Sequence, residues 1–340
     1  MSGNPAVAVI VPVHNGARHL ATCLAALVRQ HVPPPEIIVV DDGSTDESAA
    51  IARTFPCRLL VQERRGVAAA RNAGGRAATG DLLLFVDADV VLPPHWLQCC
   101  LANFAAAPAV AVMQGWYDTV ADQDGWFARG MAMRHAALMH WLFAGRERIS
   151  VCNLESGCLA LRREVFTRCG WFAEQFRASG GEEHEFGWRI MPHYPVWYFA
   201  NLAARHRYGG LRTTLTKVCR RSAVFLRLLA EHHRLRSLLA DQRASVIVDD
   251  YLAAAGLVLV AGAIPAWWWN GVAAAGGAAT GLLALAASQA RFIALAWRRH
   301  GWRAAWTVAT VNLILTPPKI VGGLAGMAVT VAGGTAVKRC

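Results

Sequence analysis

Short apolar runs alternate with amphipathic segments along the first 90 residues of the chain. The apolar runs are bounded by turn-forming residues and predict strands over residues 7–13, 37–40, 58–62 and 82–86. The segments between them repeat apolar residues every three or four positions, which predicts helices ending near Val28, Phe55 and Ala78. Strand and helix in alternation predict an α/β domain built on a doubly wound, mostly parallel sheet.

Acidic residues stand where two of these strands end. Asp41 and Asp42 follow the second strand, and Asp87-Ala88-Asp89 follows the fourth. Because the carboxyl ends of parallel strands form the ligand-binding edge of an open α/β sheet, we expect these side chains in one site. Asp87 and Asp89 would point the same way and hold Mg²⁺ or Mn²⁺ together with substrate phosphates. The alternative is that the aspartates are only turn or helix-capping residues.

Long uncharged stretches distinguish the end of the chain. Asp, Glu, Lys and Arg are missing from residues 251–290, 304–318 and 320–337. Stretches of this length predict transmembrane helices, a first over 252–269 and a second over 272–290. The last stretch is broken at residues 316–319, Thr-Pro-Pro-Lys, which predicts an interfacial helix and a third span or, alternatively, a re-entrant hairpin.

The net charge of +11 is concentrated before the first predicted span. Ten Lys or Arg residues lie between positions 205 and 243, against Glu231 and Asp241 as the acidic residues. A basic stripe can bind nucleic acid, but its place beside an apolar span favours anionic lipid headgroups, and we expect no nucleic-acid partner. Residues 205–239 therefore predict an amphipathic helix in the membrane interface; a helix docked on the protein surface is the alternative.

These patterns predict three parts of the chain. Residues 1–204 form the α/β domain, residues 205–250 a basic amphipathic juxtamembrane segment, and residues 251–340 a membrane domain with two to three transmembrane helices. The N-terminus shows no signal-peptide pattern, so we expect the first domain in the cytoplasm. The arginines that follow the second span place the next loop on the same side.

Five short motifs follow one another along the first domain. They are Val11-Pro12-Val13-His14-Asn15, Asp41-Asp42-Gly43-Ser44-Thr45-Asp46, Arg71-Asn72-Ala73-Gly74, Asp87-Ala88-Asp89 and Gly181-Glu182-Glu183. In this order and at this spacing they resemble glycosyltransferase family 2, over roughly residues 6–215. The resemblance implies a GT-A type fold, a nucleotide-sugar donor, Mg²⁺ or Mn²⁺ as cofactor, and inversion at the anomeric carbon.

The resemblance also implies which residues bind the donor. They are Pro12, His14, Asn15, Asp41, Asp42, Arg71, Asp87, Ala88 and Asp89. An aspartate of the second motif would read the base, and Arg71 would reach the nucleotide or its phosphates with its guanidinium fork. Asp89 would be the direct metal ligand, and Asp87 a ribose contact or an indirect partner of the metal.

The catalytic base is expected from Glu182 and Glu183. The family usually has Glu-Asp at this point, and its second acid deprotonates the acceptor hydroxyl, so Glu183 takes that role with one methylene more. The alternative is that both acids only stabilise a helix N-terminus, where negative charge is favoured.

Further residues are expected on the acceptor or diphosphate side. Trp188 and Arg189 follow the base on the same helix, and His206 lies where a donor-site histidine is often found in the family. Asn153, Glu155, Arg162 and Arg163 lie in a region that resembles the family's acceptor loop.

The sequence as a whole predicts an inverting glycosyltransferase of the bacterial cytoplasmic (inner) membrane. Gln-x-x-Arg-Trp, the motif of processive synthases, does not follow Arg189, so transfer of a single sugar from a UDP- or GDP-sugar to a lipid-linked or membrane-embedded acceptor is expected. The alternatives are a soluble or polysaccharide acceptor for a merely anchored enzyme, a nucleotidyltransferase, and a membrane scaffold with a decayed transferase domain. A nucleotidyltransferase would need a Gly-rich, Lys-bearing loop near the first strand, where none is found.

Overall fold

The computed structural model describes residues 6–34, 36–118, 123–151, 154–176, 181–231, 263 and 271–332. The chain divides into two compact units. The first, here called the sheet unit, takes in residues 1–120 and 143–207; the second, the helical unit, takes in residues 121–142 and 208–340.

The described residues form nine strands of one sheet. They are β1 Val7–Val13, β2 Glu36–Asp42, β3 Arg58–Gln62, β4 Leu82–Val86, β5 Val90–Val91, β6 Val112–Asp118, β7 Arg148–Val151, β8 Cys158–Arg162 and β9 Val196–His206. β1 and β4 are buried along their whole length, which explains why their apolar runs predict them without alternation. β2 is longer than its apolar run, because it extends over Asp41 and Asp42, both of them buried.

The helices of the sheet unit are α1 Ala17–Val28, α2 Ser48–Ala52, α3 Val67–Ala77, α4 Trp96–Ala106, α6 Glu164–Cys169 and α7 Glu182–Ile190. A further helix, α5 Gly125–Phe143, lies almost entirely in the helical unit. One hydrophobic core joins α1, α4 and one face of the central strands, with Leu20, Leu24, Val9 and Trp96 among its fully buried members. The predicted second helix is shorter than expected and ends at Ala52.

The sheet is mixed, with strand order β3-β2-β1-β4-β8-β6-β9-β5 and β7 paired to β9. β3, β2, β1 and β4 are parallel, but β8 runs antiparallel to both β4 and β6. The prediction of a mostly parallel sheet is therefore right for the first four strands. In the rest of the sheet β6 and β9 are parallel, but β8, β5 and β7 run antiparallel to their neighbours. The apolar pattern of a buried strand carries no information on its direction, which is set by how the intervening chain returns.

The helical unit contains most of α5 together with α8 Leu211–Glu231, α9 Gly271–His300 and α10 Trp302–Ala332. Phe127 of α5 packs with Val311 and Leu315 of α10, and Leu215 and Val218 of α8 pack against them. These two α8 residues therefore pack against other helices of the helical unit. Arg205 and His206, assigned from the sequence to the juxtamembrane segment, are instead the end of β9.

The predicted transmembrane spans can be compared with the helices of the structure only in part. Within the described residues no single helix combines the length and apolarity needed to cross a bilayer; Ala275–Ala290 and Phe292–His300 do so only as a pair, bent by 42°. The predicted first span, 252–269, lies outside the described residues apart from position 263. α10 passes through Pro317 and Pro318, where a break was predicted. The tight packing of Val311 and Leu315 just before the prolines holds the helix at the point where two hydrogen-bond donors are missing.

Candidate active site

The carboxyl ends of β1, β2 and β4 lie side by side, and the loops that follow them form the site. Pro12 is buried in β1 opposite Val40, and Val13 stands in register with Asp41. The next loop carries His14 and Asn15, whose backbone is left-handed with φ 51°, a conformation that asparagine tolerates better than most residues.

Hydrogen bonds join this first loop to the loop after β2. His14 Nδ1 lies 2.9 Å from the carbonyl oxygen of Asp42, and the Asn15 N–H donates to Ser44 Oγ at 3.0 Å. The N–H of Thr45 donates in return to Asn15 Oδ1 at 2.8 Å. The two loops therefore form one pre-organised rim, as expected for residues that cradle a nucleoside.

Asp41 and Asp42 are used differently. Asp42 accepts hydrogen bonds from Gln62 Nε2 and from the backbone N–H groups of Arg65 and Gly66, at 2.7–2.8 Å. Asp41 accepts one from the N–H of Ser44 at 2.9 Å. Asp42 therefore fixes the loop that leads into α3, and turn chemistry, the alternative to base recognition, accounts for its carboxylate.

Arg71 is buried in α3 and connects two acids from different elements. Its Nη2 donates to Asp87 Oδ1 at 2.7 Å and its Nη1 to Glu182 Oε1 at 3.1 Å. Burial opposes the charge of Arg71, but Asp87 and Glu182 outweigh it and hold the pKa of Arg71 above its usual range. Arg71, predicted to reach the donor phosphates, thus forms an internal link between Asp87 and Glu182 in the structure.

Asp89 faces His206. β5 pairs with the end of β9 so that Val90 is opposite His206, and Asp89 Oδ2 lies 3.5 Å from His206 Nε2. The ring of Tyr117 stacks on the imidazole, with 4.7 Å between the ring centres. Ala88 lies between the two aspartates, close to Gly16 of the first loop.

The pair Asp89 and His206 fits a divalent cation, since a carboxylate and an imidazole face one point and both side chains are partly exposed. In the described part of the chain no group of three or more His, Cys, Asp and Glu side chains is arranged to hold a metal ion. These residues could supply two protein ligands, and oxygens of the donor diphosphate would complete the coordination. Asp87, also predicted as a ligand, is committed through Oδ1 to Arg71.

Glu183 is in the first turn of α7, beside Glu182. Both acids are buried, and Glu183 Oε2 accepts hydrogen bonds from the Oγ of Ser156 at 3.0 Å and from its N–H at 3.3 Å. Glu182 also accepts one from the N–H of Gly181, as expected of an acid at a helix N-terminus. Of the two predicted catalytic acids, Glu182 thus binds Arg71 and Glu183 binds Ser156.

Several residues expected on the acceptor or diphosphate side make contacts within the protein. Arg189 donates to Glu185 and to the carbonyls of Cys169 and Trp171, so its guanidinium anchors α7 to the loop before it. Arg163 binds carbonyls at the end of α3, Arg162 binds those of Pro108 and Val110, and Trp188 is buried. Glu155 donates its N–H to Gln114 Oε1, and Asn153 lies outside the described residues.

Two residues of the site, Tyr117 and Ser156, were not predicted. Tyr117 lies near Asp87, and burial together with the charge of Asp87 holds the pKa of its phenol well above the ordinary value, so it stays protonated. A Cβ added to Gly157 would lie 2.4 Å from Tyr117 Oη and 2.9 Å from Asp87 Oδ2. The signal in the sequence was Ser156-Gly157 immediately before an apolar strand, which marks a close approach of backbone to other groups.

A GT-A-like α/β fold with strand-end carboxylates and a facing acidic helix defines the class of a nucleotide-dependent transferase domain. Residues 8–170 match the family described as Glycosyl transferase family 2. The resemblance drawn from the sequence motifs is thereby confirmed.

Two named relatives are similar over about half of the chain. Validoxylamine A glucosyltransferase from Streptomyces hygroscopicus subsp. limoneus is 30% identical over 230 residues, which cover 56% of this chain and 48% of the relative. Chondroitin synthase from Escherichia coli is 27% identical over 218 residues, which cover 54% of this chain and 32% of the relative. The chain spans about half the length of the first of these relatives and a third of the second.

A solved structure is also similar to this chain. It is the mannosyltransferase PcManGT from Pyrobaculum calidifontis in complex with GDP-Man and Mn²⁺, similar over 98% of this chain and 89% of its own, with a TM-score of 0.56. At 20% sequence identity this similarity establishes the fold.

Proposed function

We propose that this protein is a metal-dependent, inverting glycosyltransferase that moves one sugar from a UDP- or GDP-sugar to an acceptor hydroxyl or phosphate. The observation that carries the proposal is that Arg71 binds both Asp87, which follows β4, and Glu182, which precedes Glu183 at the start of α7. Two of the relatives' names, a glucosyltransferase and a mannosyltransferase bound to GDP-Man and Mn²⁺, support the same chemistry.

Each residue of the site would have a separate role in the reaction. The loops around Asn15 and Asp41 hold the nucleoside, and Asp89 with His206 would hold Mn²⁺ or Mg²⁺. When bound, the cation neutralises charge on the leaving diphosphate. Glu183 accepts the proton of the acceptor while the acceptor oxygen bonds to the anomeric carbon. The bond from that carbon to the diphosphate oxygen breaks at the same time, and the nucleoside diphosphate leaves with the electron pair.

The experiment is a panel of nucleotide-sugars incubated with the full-length protein and Mn²⁺, with release of nucleoside diphosphate measured. Glu183→Gln should keep donor affinity and lower turnover by about 10²–10⁴-fold, the usual share of a general base. Glu185→Gln is the matched control, because Glu185 lies two residues further along the same helix and pairs with Arg189. Equal losses of affinity and turnover in Glu183→Gln would make this residue structural. A protein that releases no diphosphate from any donor would instead be the scaffold of the alternative hypothesis.

We further propose that the acceptor is a lipid and that the enzyme works at the cytoplasmic face of the bacterial inner membrane. The support is the surface of α9 and α10, which exposes large apolar side chains: Leu282, Leu283, Trp297, Trp302, Trp306, Leu313 and Val321. Arg298, Arg299 and Arg303 stand beside the three tryptophans, a combination typical of the headgroup level of a membrane.

The lipid proposal is tested with a variant in which Trp297, Trp302 and Trp306 are all serine. We expect weaker binding to vesicles that contain an anionic phospholipid, and slower transfer to a lipid extract, with donor hydrolysis preserved. Trp126→Ser, an exposed tryptophan of α5, is the control. Transfer to a water-soluble sugar or peptide much faster than to any lipid extract would contradict the proposal and favour an enzyme that is merely anchored.

A further inference from the structure

The loop Leu154–Gly157, here called the bridging loop, touches both halves of the site. At one end the N–H of Asp87 donates to the carbonyl oxygen of Gly157 at 3.0 Å. At the other end Ser156 donates twice to Glu183. The loop thus connects the strand end that carries the donor-side aspartates directly to the helix that carries the base.

The bridging loop is held rigidly in this position. The N–H of Glu155 donates to the Oε1 of Gln114, an amide that is fully buried within β6. α7 packs closely on the loop at Gly187, where an added Cβ would lie 2.9 Å from the Cβ of Leu154. Ser156 itself is fully buried, so its hydroxyl is not shared with bulk solvent. A side chain held by such a frame loses little further entropy when it orients a neighbour.

We propose that Ser156 is the positioning residue of the base: its Oγ and N–H bind Glu183 Oε2 and so fix the orientation of the carboxylate that accepts the proton. This inference rests on the proposed function, because it assigns a partner to the proposed base. It also explains how a glutamate works where the family usually has an aspartate. The longer side chain has one more rotatable bond, and two hydrogen bonds to a single oxygen restrict that freedom.

The two hydrogen bonds have a second consequence, since they stabilise the charged carboxylate. Removing the hydroxyl should therefore disfavour the charged form of Glu183 as well as loosen its geometry. The base is active only when deprotonated. In Ser156→Ala the acidic limb of the profile of kcat against pH should therefore move to higher pH. A merely structural serine would not move that limb.

The test compares Ser156→Ala with wild type in the full-length protein, with Mn²⁺ and the best donor from the panel. We expect kcat to fall by about ten- to a hundredfold, as for loss of a hydrogen bond to a charged group, with donor Kd unchanged and the acidic limb shifted upward. Ser288→Ala, another buried serine whose Oγ donates to a backbone carbonyl in the helical unit, is the matched control and should retain wild-type kcat. If Ser156→Ala does not fold, Ser156→Cys, nearly the same size and a weak donor, replaces it with the same expectation.

A double mutant separates this inference from the proposed function. In the Glu183→Gln background the Ser156→Ala change should have almost no further effect on kcat, because the group it positions is already lost. Additive losses in the double mutant would overturn the role of Ser156. So would an unchanged acidic limb, or a loss of donor affinity, in Ser156→Ala. In each case the proposed transfer by the wild type would still stand. Wild-type protein inactive with every donor, or active and insensitive to Glu183→Gln, would instead overturn the proposed function or its base.

Discussion

Arg71 Nη2 lies 2.7 Å from Asp87 Oδ1, and this ion pair ties the helix of one sequence motif to the strand end of another. The second nitrogen of the same guanidinium binds Glu182, next to the proposed base. Arg71 is thus the internal link between the donor side and the base side of the site. Its role is to hold acids in place, and that role can be separated experimentally from contact with substrate.

Replacing Arg71 should be severely destabilising. Arg71→Met leaves Glu182 buried without its cation, and breaking a buried pair by removing one partner costs about 3–5 kcal/mol of unfolding free energy. Urea unfolding measures this cost. Arg76→Met, on the same helix but half exposed, is the control and should cost about 1 kcal/mol or less. Similar losses of unfolding free energy in the two variants would mean that the buried ion pairs of Arg71 stabilise the protein no more than an exposed pair does.

Asp89→Asn should abolish transfer and weaken metal binding. The substitution removes the negative charge that faces His206, so the cation and the diphosphate are poorly compensated, at a cost of several kcal/mol. Mn²⁺ affinity in the presence of UDP or GDP, measured by electron paramagnetic resonance, reports the effect without turnover. Asp81→Asn, exposed just before β4, serves as the control. Near-normal Mn²⁺ affinity in Asp89→Asn would show that the metal is held elsewhere.

Gly157→Ala should impair the donor side of the site. The new methyl group would lie 2.4 Å from Tyr117 Oη and 2.9 Å from Asp87 Oδ2, so at least one of them must move. We expect weaker donor binding, measured by calorimetry, in a folded protein. Gly276→Ala, in the interior of α9 with open space around it, should instead be neutral or stabilising by about 0.5–1 kcal/mol. Unchanged donor affinity in Gly157→Ala would place the donor away from Asp87.

Glu174 should make stability depend on pH in the acid range. A hydrogen bond from Asn72 and the charges of Arg65 and Arg76 lower the pKa of Glu174. A lowered folded-state pKa contributes stability above the unfolded value, about 4.3, and that contribution is lost as the pH falls through the folded value. Glu174→Gln should therefore lower the unfolding free energy at neutral pH and differ less from wild type near pH 3. Glu47→Gln, exposed before α2, is the control; a deficit of equal size at both pH values would contradict the linkage.

Local sequence alone determined the bounds of β1, β3 and β4. β1 and β4 are buried along their whole length, and a short apolar run between turn residues has few other ways to bury its side chains. The acids after β2 and β4 could be placed in one site for a similar reason, since parallel strands bring their carboxyl ends to one edge. The family, too, was evident from short motifs in order.

Tertiary structure decided which groups meet. Arg71 pairs with Glu182 across 111 positions of the chain, and Ser156 meets Glu183 across 27, contacts that no local pattern encodes. Arg189 has a neighbouring acid at i−4 that the sequence shows, yet the carbonyls that fix its role come from the loop before α7. The antiparallel direction of β8 could not be predicted either, because burial determines which faces of a strand are apolar and does not determine the direction of the strand. Hydrophobic period is a local property, whereas the partners of polar side chains depend on where distant segments pack.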